Sequence, residues 1–258
     1  MGRVIAITNQ KGGVGKTTTA INLSACLAEA EQRVLLIDFD PQGNATSGVA
    51  SALEKPKEGD IYDLICGNAE AEDCIYKDVV PGLDVIGADM DLSGVEAEFQ
   101  ELPDMDERLK KAIEGLKDSY DYIFIDCPPS ISVLTVNALT ASESVIIPIQ
   151  CEYYALEGLN QVLKVIKLVQ RRMNPSIYVE GVLFTMYDQR TRLSEQVVES
   201  VRKSLNEPIF ETMIPRNVRL AEAPSYGEPI NIYDPSSRGA ESYRMLAAEL
   251  MDREGRDF

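Results

Sequence analysis

The sequence predicts an α/β protein with a doubly wound, mostly parallel sheet and helices on both of its faces. Short β-rich segments alternate with segments of helical spacing along most of the 258 residues. The predicted strands are apolar throughout rather than alternating, which is typical of strands buried on both faces. No linker or internal repeat interrupts this pattern, so we expect a single domain over residues 1–258.

The first three predicted elements form a βαβ unit. A β-rich strand, Arg3–Thr8, ends in a Gly-rich loop, and the helix Lys16–Ala30 leads to a second strand, Arg33–Asp38. Such a unit implies two parallel strands joined by a right-handed crossover. The following segment, Asp38–Gly48, is rich in Pro, Gly and Asn and is predicted to be a loop.

The later elements repeat this alternation after a less regular stretch between residues 50 and 118. Within that stretch we predict the strand Leu83–Gly87 and the helix Met105–Leu116. Further strands are predicted at Tyr120–Asp126, Ser144–Ile149, Tyr178–Phe184 and Ile209–Ile214. The helices that alternate with them are Ser132–Ala141, Leu156–Arg172, Ser194–Leu205 and Ser237–Met251.

The composition excludes several kinds of site. The chain has no histidine, which excludes His-based acid–base catalysis and His-ligated metals but leaves a magnesium site of oxygen ligands possible. Its 5 cysteines are odd in number and irregularly spaced, which favours buried free thiols over a disulfide framework or a zinc site. No signal peptide and no apolar stretch near the roughly 20 residues of a membrane span is evident. We therefore expect a cytoplasmic protein with no membrane partner.

The charge is strongly acidic and unevenly distributed. The chain has 25 basic and 42 acidic side chains, a net charge of −17, which should repel a polyanion such as nucleic acid. Residues 50–118 carry 7 basic and 19 acidic side chains, whereas residues 164–219 carry 10 basic and 6 acidic ones. The second stretch is the only sizeable region with a basic excess. It is either an anion-binding surface or a solvated helix face.

The strongest motif is Lys11-Gly-Gly-Val-Gly-Lys-Thr-Thr18, between the first strand and the first helix. Glycines allow backbone N–H groups to converge on phosphate oxygens, and the positive end of the helix dipole adds to that field. We expect Lys16 to reach the β- and γ-phosphates of ATP and the Thr17 hydroxyl to ligate Mg²⁺. The predicted nucleotide-binding residues of the loop are Lys11, Gly12, Gly13, Val14, Gly15, Lys16, Thr17 and Thr18.

The phosphate loop departs from the usual pattern at two positions. Gln10 stands where a glycine is usual, and Lys11 is an additional lysine. With these features the motif resembles the deviant Walker A sequence of the ParA/MinD family of ATPases, which have the P-loop NTPase fold. The resemblance implies an ATP-dependent homodimer in which Lys11 crosses the interface and contacts the partner's phosphates. Lys11 and Lys16 are then both catalytic residues; the alternative for Lys11 is a surface lysine near a phosphate.

Two further segments resemble the same family. Asp38-Phe-Asp-Pro-Gln-Gly-Asn44 resembles its switch I, which implies that Asp40 orients the attacking water and lies at the metal; the alternative is a helix-capping aspartate. Phe124-Ile-Asp-Cys-Pro-Pro-Ser130 resembles its Walker B and switch II region. That resemblance implies that Asp126 holds Mg²⁺ through a water, whereas the alternative is a turn residue at the end of a strand.

The C-terminal half resembles the chromosomal, Soj-like type of ParA. This resemblance implies an adenine pocket formed partly by Pro215 and Asn217. It also implies non-specific binding of double-stranded DNA by the ATP-bound dimer, with a ParB-like activator protein. The expected DNA contacts are Arg190 and Arg219, with Arg192, Arg202, Lys203 and Arg216 as neighbours. The similar segments are residues 181–190, 214–229 and 233–239.

The resemblance implies a role in chromosome or plasmid partitioning. ATP hydrolysis is expected to dissolve the dimer and release DNA, so that the protein is nucleoid-associated only when ATP is bound. Two features argue against other branches of the family. Residues 251–258 lack the basic amphipathic character of a MinD-like membrane helix. Cys127 has no second cysteine suited to the iron–sulfur cluster that some members hold between subunits. Three alternatives stay open. They are the same switch positioning a protein cargo without DNA, a small-molecule kinase or synthetase, and a regulatory module without hydrolysis.

Overall fold

The computed structural model describes residues 2–53, 57–99 and 104–255, which form a seven-stranded sheet between layers of helices. The strand order is β3-β4-β2-β5-β1-β6-β7, and every neighbouring pair is parallel except the antiparallel edge pair β3–β4. The predicted doubly wound, mostly parallel sheet is therefore confirmed. The strands are β1 (Arg3–Ile7), β2 (Val34–Asp38), β3 (Ile75–Val80), β4 (Leu83–Ile86), β5 (Tyr122–Asp126), β6 (Ser144–Gln150) and β7 (Tyr178–Thr185).

Helices connect these strands and cover both faces of the sheet. In the described residues they are α1 (Lys16–Glu29), α2 (Asn44–Ser47), α3 (Ile61–Cys66), α4 (Ala71–Cys74), α5 (Val95–Phe99), α6 (Arg108–Ala112), α7 (Val133–Ala141), α8 (Ala155–Arg172), α9 (Arg192–Ser204), α10 (Val218–Glu222), α11 (Ile230–Tyr233) and α12 (Arg238–Arg253). Short 3₁₀ turns lie at Ala50–Ala52, Met90–Gly94, Glu114–Leu116 and Ala223–Tyr226.

Alternate side chains of each strand enter two separate hydrophobic cores. Leu35 and Ile123 pack in the core that contains α7, α8 and α9, whereas Leu36 and Phe124 pack in the core that contains α1 and α12. All four side chains are fully buried. Burial on both faces explains why the strands are apolar throughout.

The predicted strand Ile209–Ile214 is wrong: this segment is not a strand of the sheet. It runs beside β7 and makes one isolated bridge to it, between Ile209 and Val182. The ladder breaks because the backbone N–H groups of Glu211 and Thr212 donate to the Glu249 carboxylate of α12, at 2.8 and 2.9 Å, instead of to a neighbouring strand. A side chain 37 residues away thus competes successfully with strand pairing.

The predicted helix Met105–Leu116 is interrupted and shorter. Only Arg108–Ala112 is α-helical, and a 3₁₀ turn follows at Glu114–Leu116. The start of the helix is set by Asn137 of α7, whose Oδ1 accepts the Leu109 N–H at 3.1 Å, and Gly115 does not favour continuation of the helix. The antiparallel edge strand β3 and the short helices between residues 44 and 99 were not predicted.

The carboxyl ends of β1, β2 and β5 lie side by side near the middle of the sheet. Asp126 at the end of β5 is in register with Ile7 of β1 and with Asp38 of β2. From β1 the chain crosses to β2 on one side of the sheet, and from β5 it crosses to β6 on the other side, so the direction of winding reverses beside β1. Ligands bind at such a switch point in open α/β sheets, so these strand ends are where a site is expected.

Candidate functional site: the phosphate-loop cleft

The phosphate loop is held in place by contacts at its start and at its centre. At its start, the buried Asn9 side chain donates to the Pro148 carbonyl at 2.7 Å and accepts the Lys11 N–H at 3.0 Å. At its centre, the buried Thr185 hydroxyl lies 2.7 Å from the Val14 carbonyl oxygen. Pro148 belongs to β6 and Thr185 to β7, so the sheet itself sets the shape of the loop.

Two glycines allow the loop to turn into α1. Gly13 and Gly15 have φ values of 72° and 89°, in the left-handed region that residues with a Cβ rarely adopt. Gly15 directly precedes the first helical residue, Lys16, so the free N–H groups of a 14-residue helix point toward the loop. The local sequence therefore builds an anion-binding cradle.

The loop borders a cleft with a volume of about 480 Å³. The cleft brings together seven of the predicted site residues. Of the two predicted loop residues that do not line it, Val14 is buried and Lys11 is described below. Asp40 reaches the cleft from the loop after β2, although it is 24 residues from Lys16 in the chain. The predicted residues that line the cleft are Gly12, Gly13, Gly15, Lys16, Thr17, Thr18 and Asp40.

Lys16 is buried at the base of the cleft. Its Nζ donates to the Lys11 carbonyl at 3.3 Å. Burial lowers the pKa of Lys16, and the negative charges of Asp126 and Asp40 oppose this effect. A cation held among carboxylates beside glycine N–H groups is suited to a phosphate chain.

Asp38 and Asp126 form a buried carboxylate pair at the ends of adjacent strands. Asp38 Oδ2 accepts the backbone N–H and the hydroxyl of Thr46 at 2.8 and 2.7 Å, and burial raises the pKa of Asp38 to about 6. Burial also raises the pKa of Asp126, and the charge of Asp38 raises it further, while Thr17 and Lys16 act in the opposite direction.

Asp126 has the surroundings expected of a residue that faces a cation. It is fully buried, and neither of its carboxylate oxygens has a hydrogen-bond partner. An unpaired buried carboxylate is costly unless a cation or a proton compensates it. In the described residues no group of three or more Cys, Asp or Glu side chains could hold a metal by itself. This donor set suits Mg²⁺, which keeps waters and takes one or two protein ligands together with phosphate oxygens.

Asp40 is oriented by its own loop. It is 6% exposed, its N–H donates to Asp38 at 3.3 Å, and its Oδ1 accepts the Gln42 N–H at 3.0 Å. These contacts leave Oδ2 available to the cleft within the described surroundings. A carboxylate at the cleft wall can orient a water without being a strong base.

Lys11 lies outside the cleft lining. Its Nζ forms an ion pair with Glu152, in the turn between β6 and α8, and both side chains are about two-fifths exposed. Lys11 thus points toward the rim rather than toward the phosphate position of its own loop. The arrangement leaves the ammonium group accessible to another molecule.

The predicted adenine-pocket residues do not line the cleft in this structure. Pro215 borders a separate cavity, and Asn217 caps α10 by accepting the Arg219 N–H at 2.8 Å. The wall opposite the loop is formed instead by Met186, Ala223, Pro224 and Glu228. The motif search missed these four because none belongs to a phosphate-binding pattern.

The predicted DNA contacts are exposed, but four of the six form ion pairs with acidic side chains. Arg190 pairs with Asp188 at 2.9 Å and is 88% exposed. The other pairs are Arg202 with Glu211, Lys203 with Glu199, and Arg219 with both Glu222 and Asp234. Arg192 and Arg216 are also exposed. Exposed pairs of this kind contribute little to stability and exchange readily for other anions.

One arginine outside the predicted set joins them. Arg190, Arg216 and Arg238 border one cavity of about 900 Å³, although they come from the β7–α9 loop, the segment after residue 209 and the start of α12. Arg190, with a smaller contribution from Arg216, holds the pKa of Asp188 at about 2. Arg238 lies in the segment 233–239, whose resemblance to Soj-like ParA could have marked it.

The other expectations for the chain can be compared with the structure. Cys26, Cys74, Cys127 and Cys151 are buried and Cys66 is half-buried, and all five are free thiols, as predicted. Among the helices of the described residues, none combines the length and the apolar character that crossing a membrane requires.

A phosphate loop at the start of α1, beside the buried aspartate at the end of β5, defines a P-loop nucleotide-binding protein. A family model described as an AAA domain matches residues 2–179. The sporulation initiation inhibitor protein Soj of Bacillus subtilis (strain 168) is 56% identical over 251 residues, covering 97% of this chain and 98% of that protein. The chromosome partitioning protein ParA of Caulobacter vibrioides (strain NA1000 / CB15N) is 49% identical over 254 residues, covering 98% and 95%.

Solved structures with the same fold contain nucleotide and magnesium. Cobyrinic acid a,c-diamide synthase from Mycobacterium smegmatis, with bound ADP and magnesium, superposes with a TM-score of 0.85 at 36% identity, covering 100% of this chain and 98% of that chain. The septum site-determining protein MinD of Pyrococcus horikoshii OT3, with Mg-ADP, has a TM-score of 0.80 at 25% identity, covering 99% and 98%. The chain belongs to the Soj/ParA family of chromosome-partitioning P-loop ATPases.

Proposed function

We propose that this chain is an ATP-hydrolysing partitioning protein whose ATP-bound homodimer binds double-stranded DNA without sequence preference. Lys11 is the observation that carries the proposal. It belongs to the phosphate loop but lies at the rim, paired with a half-exposed glutamate, outside the lining of its own cleft. A second subunit that presents its own phosphates at the rim would give Lys11 a stronger partner.

Within one subunit, the loop residues have distinct tasks in binding ATP. The N–H groups from Gly12 to Thr18 hold the phosphate chain, and Lys16 neutralises its charge. Mg²⁺, when bound, neutralises phosphate charge beside the Thr17 hydroxyl and Asp126. Asp40 orients a water for attack on the γ-phosphate. For adenine, the wall that contains Met186 and Pro224 is the better-supported position than the predicted Pro215 and Asn217.

The proposed DNA surface consists of exposed basic side chains from the C-terminal part of the chain. It comprises the predicted residues Arg190, Arg192, Arg202, Lys203, Arg216 and Arg219, together with Arg238. Dimerisation would double the number of phosphate contacts, so DNA affinity would depend on ATP. Because the chain carries a net charge of −17, we expect retention only at modest salt. Release after hydrolysis, stimulation by a ParB-like protein and a cytoplasmic location complete the proposal.

Retention on non-specific double-stranded DNA tests the proposal directly. Retention is measured in the presence of ATP and Mg²⁺, in the presence of ADP and Mg²⁺, and without nucleotide. The Asp40→Ala variant, in which hydrolysis is slowed, is measured under the same conditions. We expect retention with ATP only, and a further increase for Asp40→Ala. An ATP-dependent dimer with no retention at low salt would favour the protein-cargo alternative. Phosphate release that requires an added small molecule would favour a kinase or synthetase.

A further inference from the structure

Ser51 and Gly227 join two segments that each contribute residues to the lining of the cleft. The Ser51 N–H and the Ser51 hydroxyl both donate to the Gly227 carbonyl oxygen, at 3.2 and 2.8 Å. The two residues are 176 positions apart in the chain. One carbonyl that accepts two donors from one residue fixes both the distance and the orientation of the contact.

The contact requires a glycine at position 227. Gly227 has a φ of 65°, and a Cβ added to it would lie 2.6 Å from the Ser51 nitrogen and 3.1 Å from the Ala50 nitrogen. A larger residue would push the two segments apart. The backbone of Gly227 is buried, so this close approach belongs to the packed structure.

Ser51 is connected to Asp40 through a short chain of local hydrogen bonds. We call residues 38–52 the switch segment. The Gly43 N–H donates to the Asp40 carbonyl at 2.9 Å, α2 follows directly, and the Val49 N–H donates to the Thr46 carbonyl at 3.3 Å. These hydrogen bonds restrict the backbone between Asp40 and Ser51. A displacement of the Asp40 loop should therefore also displace the turn at Ala50–Ala52.

Gly227 lies in a segment that also carries Arg219. We call residues 217–233 the arm; it contains α10 and α11, and its Ala223, Pro224 and Glu228 line the cleft. Asn22 of α1 anchors the far end, because its Oδ1 accepts the Ile230 N–H and its Nδ2 donates to the Thr18 carbonyl, each at 2.7 Å. The arm is therefore held by the phosphate-loop helix at one point and by the switch segment at another.

We propose that Ser51 and Gly227 are positioning residues that couple the switch segment to the arm, so that the nucleotide state sets the position of Arg219. The inference rests on the proposed function only in taking DNA as the ligand of Arg219. When the switch segment closes on the γ-phosphate, Ser51 pulls the arm against the cleft and holds α10 in its DNA-binding position. Loss of the γ-phosphate releases both segments together. By linkage, DNA bound to the arm favours the ATP-bound switch to the same extent.

Ser51→Ala tests the coupling through the ratio of DNA affinity with ATP to that with ADP. We expect this ratio to fall about five-fold, the factor that corresponds to one ordinary hydrogen bond. DNA-free ATP hydrolysis and ATP-dependent dimerisation should stay within about twofold of the parent protein, since Ser51 does not line the cleft. Ser51→Thr keeps the hydroxyl and should restore the ratio. An unchanged ratio in Ser51→Ala would overturn the proposal.

A fluorescence reporter tests the same coupling without DNA. The chain has no tryptophan, and Tyr226 in the arm is 62% exposed, so Tyr226→Trp supplies a single reporter. With a non-hydrolysable ATP analogue in place of ATP, we expect its emission to differ between the analogue and ADP, and the difference to be lost when Ser51→Ala is added. A difference that survives Ser51→Ala refutes the coupling. If the parent protein fails to bind DNA but the reporter behaves as expected, the proposed function fails and the coupling stands.

Discussion

Lys11 of the phosphate loop and Glu152 in the turn between β6 and α8 form an ion pair within one chain. Both side chains are partly exposed, so the pair contributes between about 0 and 1 kcal/mol. A contact between Lys11 and the phosphates of a second subunit would have to replace this pair. Breaking the pair therefore costs little free energy, which is compatible with an ATP-dependent dimer that forms and dissociates repeatedly.

Lys11→Ala should abolish ATP-dependent dimerisation while the monomer still binds ATP. We expect the ATP affinity of the monomer to change by less than about threefold, because Lys16 carries the charge inside the cleft. Light scattering with ATP and Mg²⁺ measures the dimer, and a fluorescent ATP analogue measures binding. Lys167→Ala, on the exposed face of α8, is the matched control. A Lys11→Ala dimer of normal stability would contradict the assignment.

Glu152→Gln should strengthen the ATP-dependent dimer. The substitution removes the carboxylate that competes for Lys11, and its effect on the dimer dissociation constant should not exceed about five-fold, the limit set by an exposed ion pair. Titration of the dimer by light scattering at fixed ATP measures this shift. A weaker dimer would mean that Glu152 itself contacts the second subunit.

Asp40→Ala should separate nucleotide binding from hydrolysis. Asp40 lines the cleft but is not part of the phosphate loop, so we expect ATP to bind with ordinary affinity while phosphate release falls at least about 100-fold. Single-turnover phosphate release measures the chemical step. Asp40→Asn is the companion variant, since it keeps the side-chain volume and the contact with the Gln42 N–H. Normal turnover in both variants would exclude Asp40 from water orientation.

The buried carboxylate pair predicts how the stability of the nucleotide-free chain depends on pH. Because burial raises the pKa of Asp38 from 3.8 to about 6, the folded chain keeps a proton between pH 4 and pH 6 that the unfolded chain has lost. The free energy of unfolding contributed by this group therefore falls as the pH rises through that window and stays low above it. Urea unfolding at pH 5 and pH 8, without nucleotide, measures the change.

Asp126→Asn should stabilise the nucleotide-free chain at pH 8 and impair its function. It removes a buried negative charge whose oxygens have no partner, which should raise the free energy of unfolding by about 2 kcal/mol, with a smaller gain at pH 5. The variant should also lose the increase in ATP affinity that Mg²⁺ produces in the parent protein. Asp84→Asn, at a carboxylate that is hydrogen-bonded to Tyr120 and Lys77, is the control and should destabilise the chain.

Arg238→Gln should weaken DNA retention and lower its dependence on salt. The slope of the logarithm of affinity against the logarithm of salt concentration falls by about 0.9 for each phosphate contact removed, and a dimer loses two contacts. Arg33→Gln is the control, because Arg33 is also exposed and ion-paired but lies before the amino end of β2, whereas Arg190 of the Arg238 cavity follows the carboxyl end of β7. An unchanged slope would place Arg238 outside the DNA surface.

Local patterns in the sequence were sufficient to predict the phosphate loop, the alternation of strands and helices, and the doubly wound fold. These features are local: Gly13 and Gly15 carry the backbone freedom that the loop needs, and the apolar strands report burial on both faces. Local patterns did not predict the break at Ile209–Ile214, because Glu249 of α12 takes the backbone donors that a strand would use.

The tertiary structure decided which side chains meet. The register of β2 and β5 brings Asp38 beside Asp126 and leaves the Asp126 oxygens without a donor. Folding of α8 against the sheet brings Glu152 to Lys11, and packing of the arm brings Gly227 to Ser51. Each of these contacts joins residues more than 80 positions apart. Spacing along the chain carries no information about such pairs, because only the order and direction of the strands bring them together.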